Sequence, residues 1–165
     1  MYEHLLVALD GSRAAERVLP HAEAIASAFK ATVTLVRATI SAEMFFAETA
    51  TGDTGVGQVA PPVDPTPILD ADRSSATEYL DGVAQRLRAL NLVVNVEHPE
   101  GPASQVIVER ASALGVSLIL MTTHGRGGLG RVVFGSTADS VLRHAPCPVL
   151  LVRVTAQEDH DTDEA

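Results

Sequence analysis

A glycine-rich stretch, His124 to Ser136, holds the residues whose types and spacing best fit a chemical role. It reads HGRGGLGRVVFGS and contains five glycines between positions 125 and 135. Glycine lets backbone N–H groups approach an oxyanion with no side chain in between. Arg126 and Arg131 add positive charge beside these amides. The stretch therefore predicts an anion site, and a phosphate group fits such a site best.

The elements on either side of this stretch support the same prediction. An apolar run, Leu118 to Met121, comes just before it. A helix is expected to begin near Ser136, where Ser136-x-x-Asp139 resembles a capping box with Asp in place of Glu. A helix N-terminus offers unpaired N–H groups and the positive end of the helix dipole. A strand, a glycine loop and a helix start, in this order, predict a site for the phosphate of a nucleotide.

Short apolar runs alternate with amphipathic segments along the rest of the chain. The predicted strands are His4–Leu9, Thr32–Ala38, Leu92–Val96, Ser117–Thr122 and Val149–Val152. Strands that alternate with helices indicate a parallel α/β sheet covered on both faces. Ligands of such sheets lie beyond the carboxyl ends of the strands, where the strand order reverses. Asp10, Ala38 and Thr122 fall at such ends.

Three helical segments and one irregular segment are predicted between the strands before the glycine-rich stretch. The first helix follows Ser12 and contains Pro20, which is expected to bend it or cost one hydrogen bond. Residues 39–72 hold many glycines and prolines and are expected to form a long irregular insertion. A second helix is predicted from near Ser75. Pro102 and Gly115 mark the start and the end of the third.

Length and charge limit the classes of function. The 165 residues suit one domain, placed at 1–154, followed by an acidic tail at 155–165 that is expected to be disordered. The net charge of −9 argues against nucleic acid as a partner, and aromatic residues, at 4%, are too few for base stacking.

The sequence also argues against a membrane partner and a disulfide. The apolar runs are shorter than the roughly 18 residues that span a bilayer, and the N-terminus does not resemble a signal peptide. Cys147 is the only cysteine, so no intrachain disulfide can form, and it is expected to be a small buried side chain. A cytoplasmic protein is expected.

The glycine pattern matches two common nucleotide motifs only in part. Gly125-x-Gly127-x-x-Gly130 has the letters of a dinucleotide fingerprint, but it does not open a helix directly and no acid closes the next strand. Gly130-x-x-x-x-Gly135-Ser136-Thr137 nearly matches a P-loop, but Ser136 stands in place of the essential lysine. Neither motif predicts its usual ligand here.

A third pattern resembles the universal stress protein family. The opening Leu6-Val-Ala-Leu-Asp-Gly-Ser12 carries this resemblance, as do His124-Gly125-Arg126 and the spacing from Gly125 to Gly135-Ser136. The ending from Arg143 to Arg153, RHAPCPVLLVR, does so as well. The resemblance spans the chain except residues 43–72 and the tail.

The resemblance implies a fold, a ligand and an assembly. It implies a five-stranded parallel sheet in the order 3-2-1-4-5 with helices on both faces, and a homodimer through Val149–Val152. It implies ATP as the ligand. Mg²⁺ is expected to accompany the ATP, shared by the phosphate oxygens. The implied ligand-binding residues are Asp10, Ala38, Met121, Thr122, Gly125, Arg126, Gly135, Ser136 and Thr137. Asp10 would face the adenine–ribose end and Ala38 the adenine, and Thr122 stands where the family pattern has its first glycine.

Three classes of function follow from the sequence. The favoured one is a regulatory protein that binds ATP and has at most slow hydrolysis, since no catalytic base is identified. His124 is expected to have a structural role because it has no partner nearby in the sequence. The second is a dimeric partner-docking module of the same fold that binds no nucleotide. The third is a nucleotide-dependent hydrolase or transferase, which only the fold and the near P-loop letters support.

Overall fold

Eleven elements form one α/β sandwich in the computed structural model, which describes residues 1–50, 64–124 and 135–154. The strands are β1 (His4–Ala8), β2 (Thr32–Val36), β3 (Val94–Glu97), β4 (Leu118–His124) and β5 (Val149–Val154). The helices are α1 (Arg13–Glu16), α2 (Leu19–Phe29), α3 (Ala42–Ala50), α4 (Thr66–Arg88), α5 (Ala103–Ala113) and α6 (Ser136–His144). The predicted tail, 155–165, lies outside the described residues.

The five strands form one parallel sheet in the order β3-β2-β1-β4-β5. The predicted fold class is therefore confirmed. β1 lies at the centre and pairs with β2 on one side and β4 on the other. The chain thus adds β2 and β3 on one side of β1 and then crosses over to add β4 and β5 on the other side. This reversal of strand order leaves a crevice between β1 and β4 at their carboxyl ends.

Alternate residues of each strand pack into two separate cores. Leu5 and Val7 of β1 belong to a core beneath α2 and α4, whereas Leu6 and Ala8 belong to a core beneath α5 and α6. Successive strand side chains point to opposite faces, so a sheet covered on both faces needs apolar residues at nearly every position. A fully buried leucine such as Leu6 contributes about 1.5–3 kcal/mol to folding.

The sequence predicted that Pro20 lies within one helix and bends it. In the structure Pro20 lies at the start of a separate helix. The chain forms the short helix α1, passes through Arg17 and Val18, and starts α2 at Leu19 with Pro20 in its first turn. The N–H groups in the first turn of a helix have no acceptor within the helix, so proline, which lacks this group, loses no helical hydrogen bond there. The prediction of one continuous helix was wrong because proline both interrupts and starts helices.

The irregular insertion predicted for residues 39–72 was wrong where the structure describes that segment. Helix α3 occupies 42–50, and α4 begins at Thr66 rather than near Ser75. Pro65 and Pro67 lie at the start of α4, and Asp64 accepts a hydrogen bond from the Thr66 N–H at 3.0 Å. Residues 51–63 lie outside the described residues. None of the described helices is both long and apolar enough to cross a membrane.

Candidate functional site

A cavity of about 240 Å³ lies at the carboxyl ends of β1 and β4. The end of β1 and the turn after it supply residues 8–10, β4 supplies residues 121–123, and the start of α6 supplies residues 135–138. Ala15 of α1 and Ala103 and Ile107 of α5 complete the described walls. The cavity occupies the crevice that the reversal of strand order creates, which is where parallel α/β sheets hold ligands.

Six of the nine predicted site residues line this one cavity. They are Asp10, Met121, Thr122, Gly135, Ser136 and Thr137. They come from three parts of the chain that are far apart in sequence, and the sheet brings them together. The juxtaposition that the sequence predicted for these residues is therefore present in the structure.

The other three predicted residues are not part of the described cavity wall. Ala38 follows the end of β2, is half-buried and packs against the core beneath α5 and α6. Its position at the same edge of the sheet follows from the parallel pairing of β1 with β2. Gly125 and Arg126 lie outside the described residues, so the structure does not place them.

Asp10 closes the turn after β1 and also lines the cavity. Its Oδ1 accepts a hydrogen bond from the Ser12 N–H at 2.8 Å, and the Ser12 hydroxyl accepts one from the Ala15 N–H at 3.0 Å. Gly11 between them has a φ of +91°, which glycine adopts without strain. Asp10 is the only charged side chain among the described cavity residues, and its second carboxylate oxygen is directed to no described protein donor.

The start of α6 differs from the predicted capping box. Gly135 is the N-cap and Ser136 is already helical, while the Asp139 carboxylate binds the Arg143 guanidinium at 3.0 and 3.1 Å. The Arg143 hydrogen bonds hold the pKa of Asp139 below its ordinary value. No side chain among the described residues caps α6, so the N–H groups of its first turn have no described partner that would compete with a ligand.

A second helix also begins at the cavity without a side-chain cap. Helix α5 starts after Pro102, and its residues Ala103 and Ile107 line the cavity. Helix N-termini carry about half a positive charge each. The positive ends of α5 and α6 therefore both favour an anionic group in this cavity. The sequence analysis predicted this helix but did not assign it to the site, although every helix that follows a strand of a parallel sheet begins at this edge.

Small side chains make room for the cavity. Ala8, Ala15, Ala103 and Ala138 come from four different elements and all lie in its wall. Met121 and Ile107 add larger apolar surface. An apolar pocket with a few polar groups is the usual form of a small-molecule site.

Thr123 is a cavity residue that the sequence analysis did not single out. Its side chain is 6% exposed, and its hydroxyl has no hydrogen-bond partner within the part of the chain that the structure describes. Thr122 beside it is half-buried and also lines the cavity. The side chain of His124, which ends β4, lies outside the described residues. Across those described, no group of three His, Cys, Asp or Glu residues is placed to hold a metal ion.

A polar cluster supports the segment that carries Ala38. The Asp72 carboxylate of α4 binds the Arg37 guanidinium at 3.3 Å and the Ile40 N–H at 2.8 Å. Arg37 also lies over the ring of Tyr79, with 5.9 Å between its guanidinium carbon and the ring centroid. Burial, and then the negative charges of Glu16 and Asp10, raise the pKa of Tyr79. The residues on both sides of Ala38 are thus fixed to α4.

Comparison with known proteins gives one consistent family. The model of the universal stress protein family matches residues 1–153. A relative from Staphylococcus haemolyticus, named as a universal stress protein, is 31% identical over 160 residues, which cover 92% of this chain and 85% of the relative.

Solved structures show the same fold. The universal stress protein UspA from Lactobacillus plantarum superposes with a TM-score of 0.70 at 25% identity, covering 92% of this chain and 98% of that one. A family protein from Arabidopsis thaliana with AMP bound has a TM-score of 0.64 at 14% identity, with 94% of both chains covered. A universal stress protein in complex with cAMP has a TM-score of 0.60 at 20% identity, covering 92% and 97%.

Proposed function

The chain belongs to the universal stress protein family, and on this premise we propose that it is a cytoplasmic regulatory protein that binds ATP in the cavity between β1 and β4. The observation that carries this proposal is the meeting of two uncapped helix N-termini with an apolar pocket at the topological switch point. Two structural neighbours hold adenine nucleotides, AMP and cAMP, which supports the same class of ligand.

The polar and apolar parts of the cavity suit different parts of a nucleotide. The phosphates would accept hydrogen bonds from the N–H groups of Gly135, Ser136 and Thr137, and Gly125 and Arg126 would contribute from the glycine-rich stretch. A Cβ built on Gly135 meets no atom within 4 Å, so the space beside this residue is open for a phosphate. Anions are stabilised at such a helix start by the dipole and the unpaired donors.

The nucleoside would occupy the part of the cavity near β1. The free carboxylate oxygen of Asp10 can accept hydrogen bonds from the ribose hydroxyl groups. Met121 and Ile107 offer apolar surface to the base, and the backbone at Ala38 would contact the adenine edge. Mg²⁺ would be shared by phosphate oxygens, as is usual for this ion when it accompanies nucleotides.

We assign the site to binding rather than to catalysis. None of the described cavity residues is a histidine, and the one carboxylate, Asp10, already accepts a hydrogen bond within its own turn. Attack of water on a phosphate needs a group that orients or deprotonates the water. Binding would instead shift a conformational or partner equilibrium, and hydrolysis would be slow at most.

Calorimetric titration of the purified full chain with ATP, with and without Mg²⁺, tests the proposal. We expect heat of binding with ATP and a smaller affinity with GTP, because the Ala38 backbone would recognise the adenine base, whereas Asp10 would contact the ribose that both nucleotides share. Mass spectrometry of the small molecules released from the protein as purified would identify an adenine nucleotide. Absence of heat at millimolar ATP would contradict the proposal and favour the docking module without nucleotide.

The assembly we propose is a homodimer through Val149–Val152 of β5. This strand pairs with β4 on one side only and stands at the edge of the sheet. An edge strand with apolar residues readily pairs with another chain. Size-exclusion chromatography with light scattering should give a molar mass twice the 17.3 kDa of one chain. The mass of a single chain would contradict the dimer.

A further inference from the structure

We propose that the Thr123 hydroxyl donates a hydrogen bond to a phosphate oxygen of the bound nucleotide and so selects phosphorylated ligands over the free nucleoside. This inference rests on the proposed function and adds to it a residue outside the glycine-rich stretch. It follows from three features of Thr123: its burial, its lack of a partner among the described residues, and its place in the cavity wall.

The state of Thr123 differs from that of the other buried threonines. Three threonines are buried among the described residues. The Thr34 hydroxyl lies 2.8 Å from the His4 Nε2, and the Thr39 hydroxyl donates to the His98 carbonyl at 3.3 Å. Thr123 alone of the three has no described partner. A buried polar group without a hydrogen bond is costly, so such groups call for an explanation.

The position of Thr123 along β4 directs its hydroxyl toward the phosphate end of the site. Met121 and Thr123 are two residues apart, so their side chains share one face of the sheet. Met121 packs in the core beneath α5 and α6, which places Thr123 on the α6 side as well. Thr123 lies about 7 Å nearer the carboxyl end of the strand. The start of α6, from Gly135 to Ala138, lines the same cavity.

The chemistry of a phosphate suits this hydroxyl. Phosphate oxygens only accept hydrogen bonds, and the threonine hydroxyl donates one. Hydrogen bonds to charged groups are stronger than those between neutral groups. The described walls of the same cavity include Ala138 and Ile107, whose side chains have no acceptor. A bound phosphate would therefore satisfy a donor that has no partner among the described residues.

The test compares Thr123→Val and Thr123→Ser with the wild-type chain, using calorimetric titration with ATP, AMP and adenosine. Valine keeps the shape of threonine without the hydroxyl, and serine keeps the hydroxyl. We expect Thr123→Val to bind ATP and AMP about 10- to 100-fold more weakly with unchanged affinity for adenosine. Thr123→Ser should stay within about threefold of the wild type for all three ligands.

Thermal unfolding of the ligand-free variants separates a ligand contact from a structural role. Thr123→Val removes an unpaired buried hydroxyl, so its Tm should equal that of the wild type or rise by about 2–4 °C. The matched control is Thr34→Val, which breaks the contact with His4. The control should lower the Tm by about 2–4 °C and leave the affinity for ATP unchanged.

Each other result overturns the inference in a recognisable way. If wild-type protein binds ATP and Thr123→Val binds it equally well, the phosphate contact is wrong while the proposed function stands. An equal loss of adenosine affinity in Thr123→Val would show that the Thr123 hydroxyl contacts the nucleoside rather than a phosphate. A drop in the Tm of Thr123→Val like that of Thr34→Val would show a structural hydrogen bond. If the wild type binds no nucleotide, the proposed function fails, and this inference fails with it.

Discussion

Asp72 on α4 and Arg37 at the end of β2 form an ion pair, with 3.3 Å between Oδ1 and Nη2. Both side chains are largely withdrawn from solvent, at 18% and 17% exposure. The second carboxylate oxygen of Asp72 accepts the Ile40 N–H at 2.8 Å. One carboxylate thus fixes the chain on both sides of Ala38, the residue proposed to face adenine.

Substitution of Asp72 should therefore affect both stability and ligand binding. We expect Asp72→Ala to lower the free energy of unfolding by about 1–3 kcal/mol, because it leaves Arg37 and the Ile40 N–H without their acceptor. The affinity for ATP should fall as well, since the segment that carries Ala38 is released. Asp72→Asn should lose less stability because its amide oxygen can still accept from Ile40. Chemical denaturation and calorimetric titration measure the two effects.

Asp70 provides the control for this prediction. It lies on the same helix and pairs with Arg73 at 3.4 Å, but its side chain is 63% exposed. Asp70→Ala should change the free energy of unfolding by less than about 0.5 kcal/mol and leave ATP binding unchanged. Equal effects of Asp70→Ala and Asp72→Ala would show that the loss of any acid on α4 matters, rather than the support of Ala38.

Gly135→Val should remove ATP binding while leaving the fold intact. The backbone of Gly135 has φ −56° and ψ 155°, which valine can adopt, and a Cβ at this position meets open space. In the ligand-free chain the cost should be about 0.5–2 kcal/mol, as for other unfavourable N-cap substitutions. In the complex the branched side chain would occupy the space that the phosphate group needs. Calorimetric titration should detect no binding, and unchanged affinity would contradict the placement of the phosphate at α6.

Gly82→Ala is a matched glycine substitution away from the cavity. Gly82 lies within α4, and a Cβ there also meets no atom within 4 Å. Alanine in a helix interior is more stable than glycine by about 0.5–1 kcal/mol. The Tm should rise and the affinity for ATP should stay the same. Weaker ATP binding by Gly82→Ala would indicate that glycine substitutions act on the site indirectly.

The sequence was sufficient to predict the sheet and several of the residues that line the cavity. The apolar runs located all five strands, and the resemblance implied their order. Because parallel strands end at the same edge, Asp10 and Thr122 were expected near each other, and both line one cavity. The ends of β2 and β5 differ from the prediction by two residues each, since the last residues of a strand depend on pairing rather than on local composition.

Other features depend on contacts that a single sequence does not display. Helix α3 was missed, and the start of α4 was predicted near Ser75 instead of Thr66, because Pro65 and Pro67 predict a break as readily as a helix start. The capping box at Ser136 was wrong because Asp139 pairs with Arg143 instead. The burial of the Thr123 hydroxyl depends on which strands and helices surround β4, so its role was not visible in the sequence.

Thr122→Gly tests the position at which this chain departs from the family pattern. The Thr122 side chain lines the cavity and is half-buried. Glycine would remove this side chain from a close-approach position, so we expect tighter ATP binding. The Tm should fall by about 2–4 °C, because glycine within a strand loses packing and costs backbone entropy. Calorimetric titration decides: weaker binding would show that the Thr122 side chain itself contacts the nucleotide.

Cys147 should react slowly with alkylating reagents at neutral pH. Burial raises the pKa of its thiol, and a backbone hydrogen bond from Ile119 lowers it by a smaller amount. Only the thiolate reacts, and its fraction rises as the pH passes the raised pKa. Cys147 is the only cysteine, so iodoacetamide labelling of the whole chain reports this one group. We expect half-maximal labelling rates at a higher pH than for glutathione.

Denatured protein supplies the reference for this measurement. Unfolding in guanidinium should return the labelling profile of Cys147 to that of a small thiol, because the desolvation is lost. Faster labelling in the folded chain than in the unfolded chain would contradict the prediction and indicate an activated thiol.

The floor of the cavity belongs to β1 and β4, the two strands that flank the switch point and that each have a neighbour on both sides. Such strands exchange their amide hydrogens only when the whole domain opens. A ligand held by these strands must leave before global opening, so its binding free energy adds to the stability of the entire sheet. Slower deuterium uptake at Leu6 and Leu120 would then report occupancy, even though neither residue is among the described cavity lining.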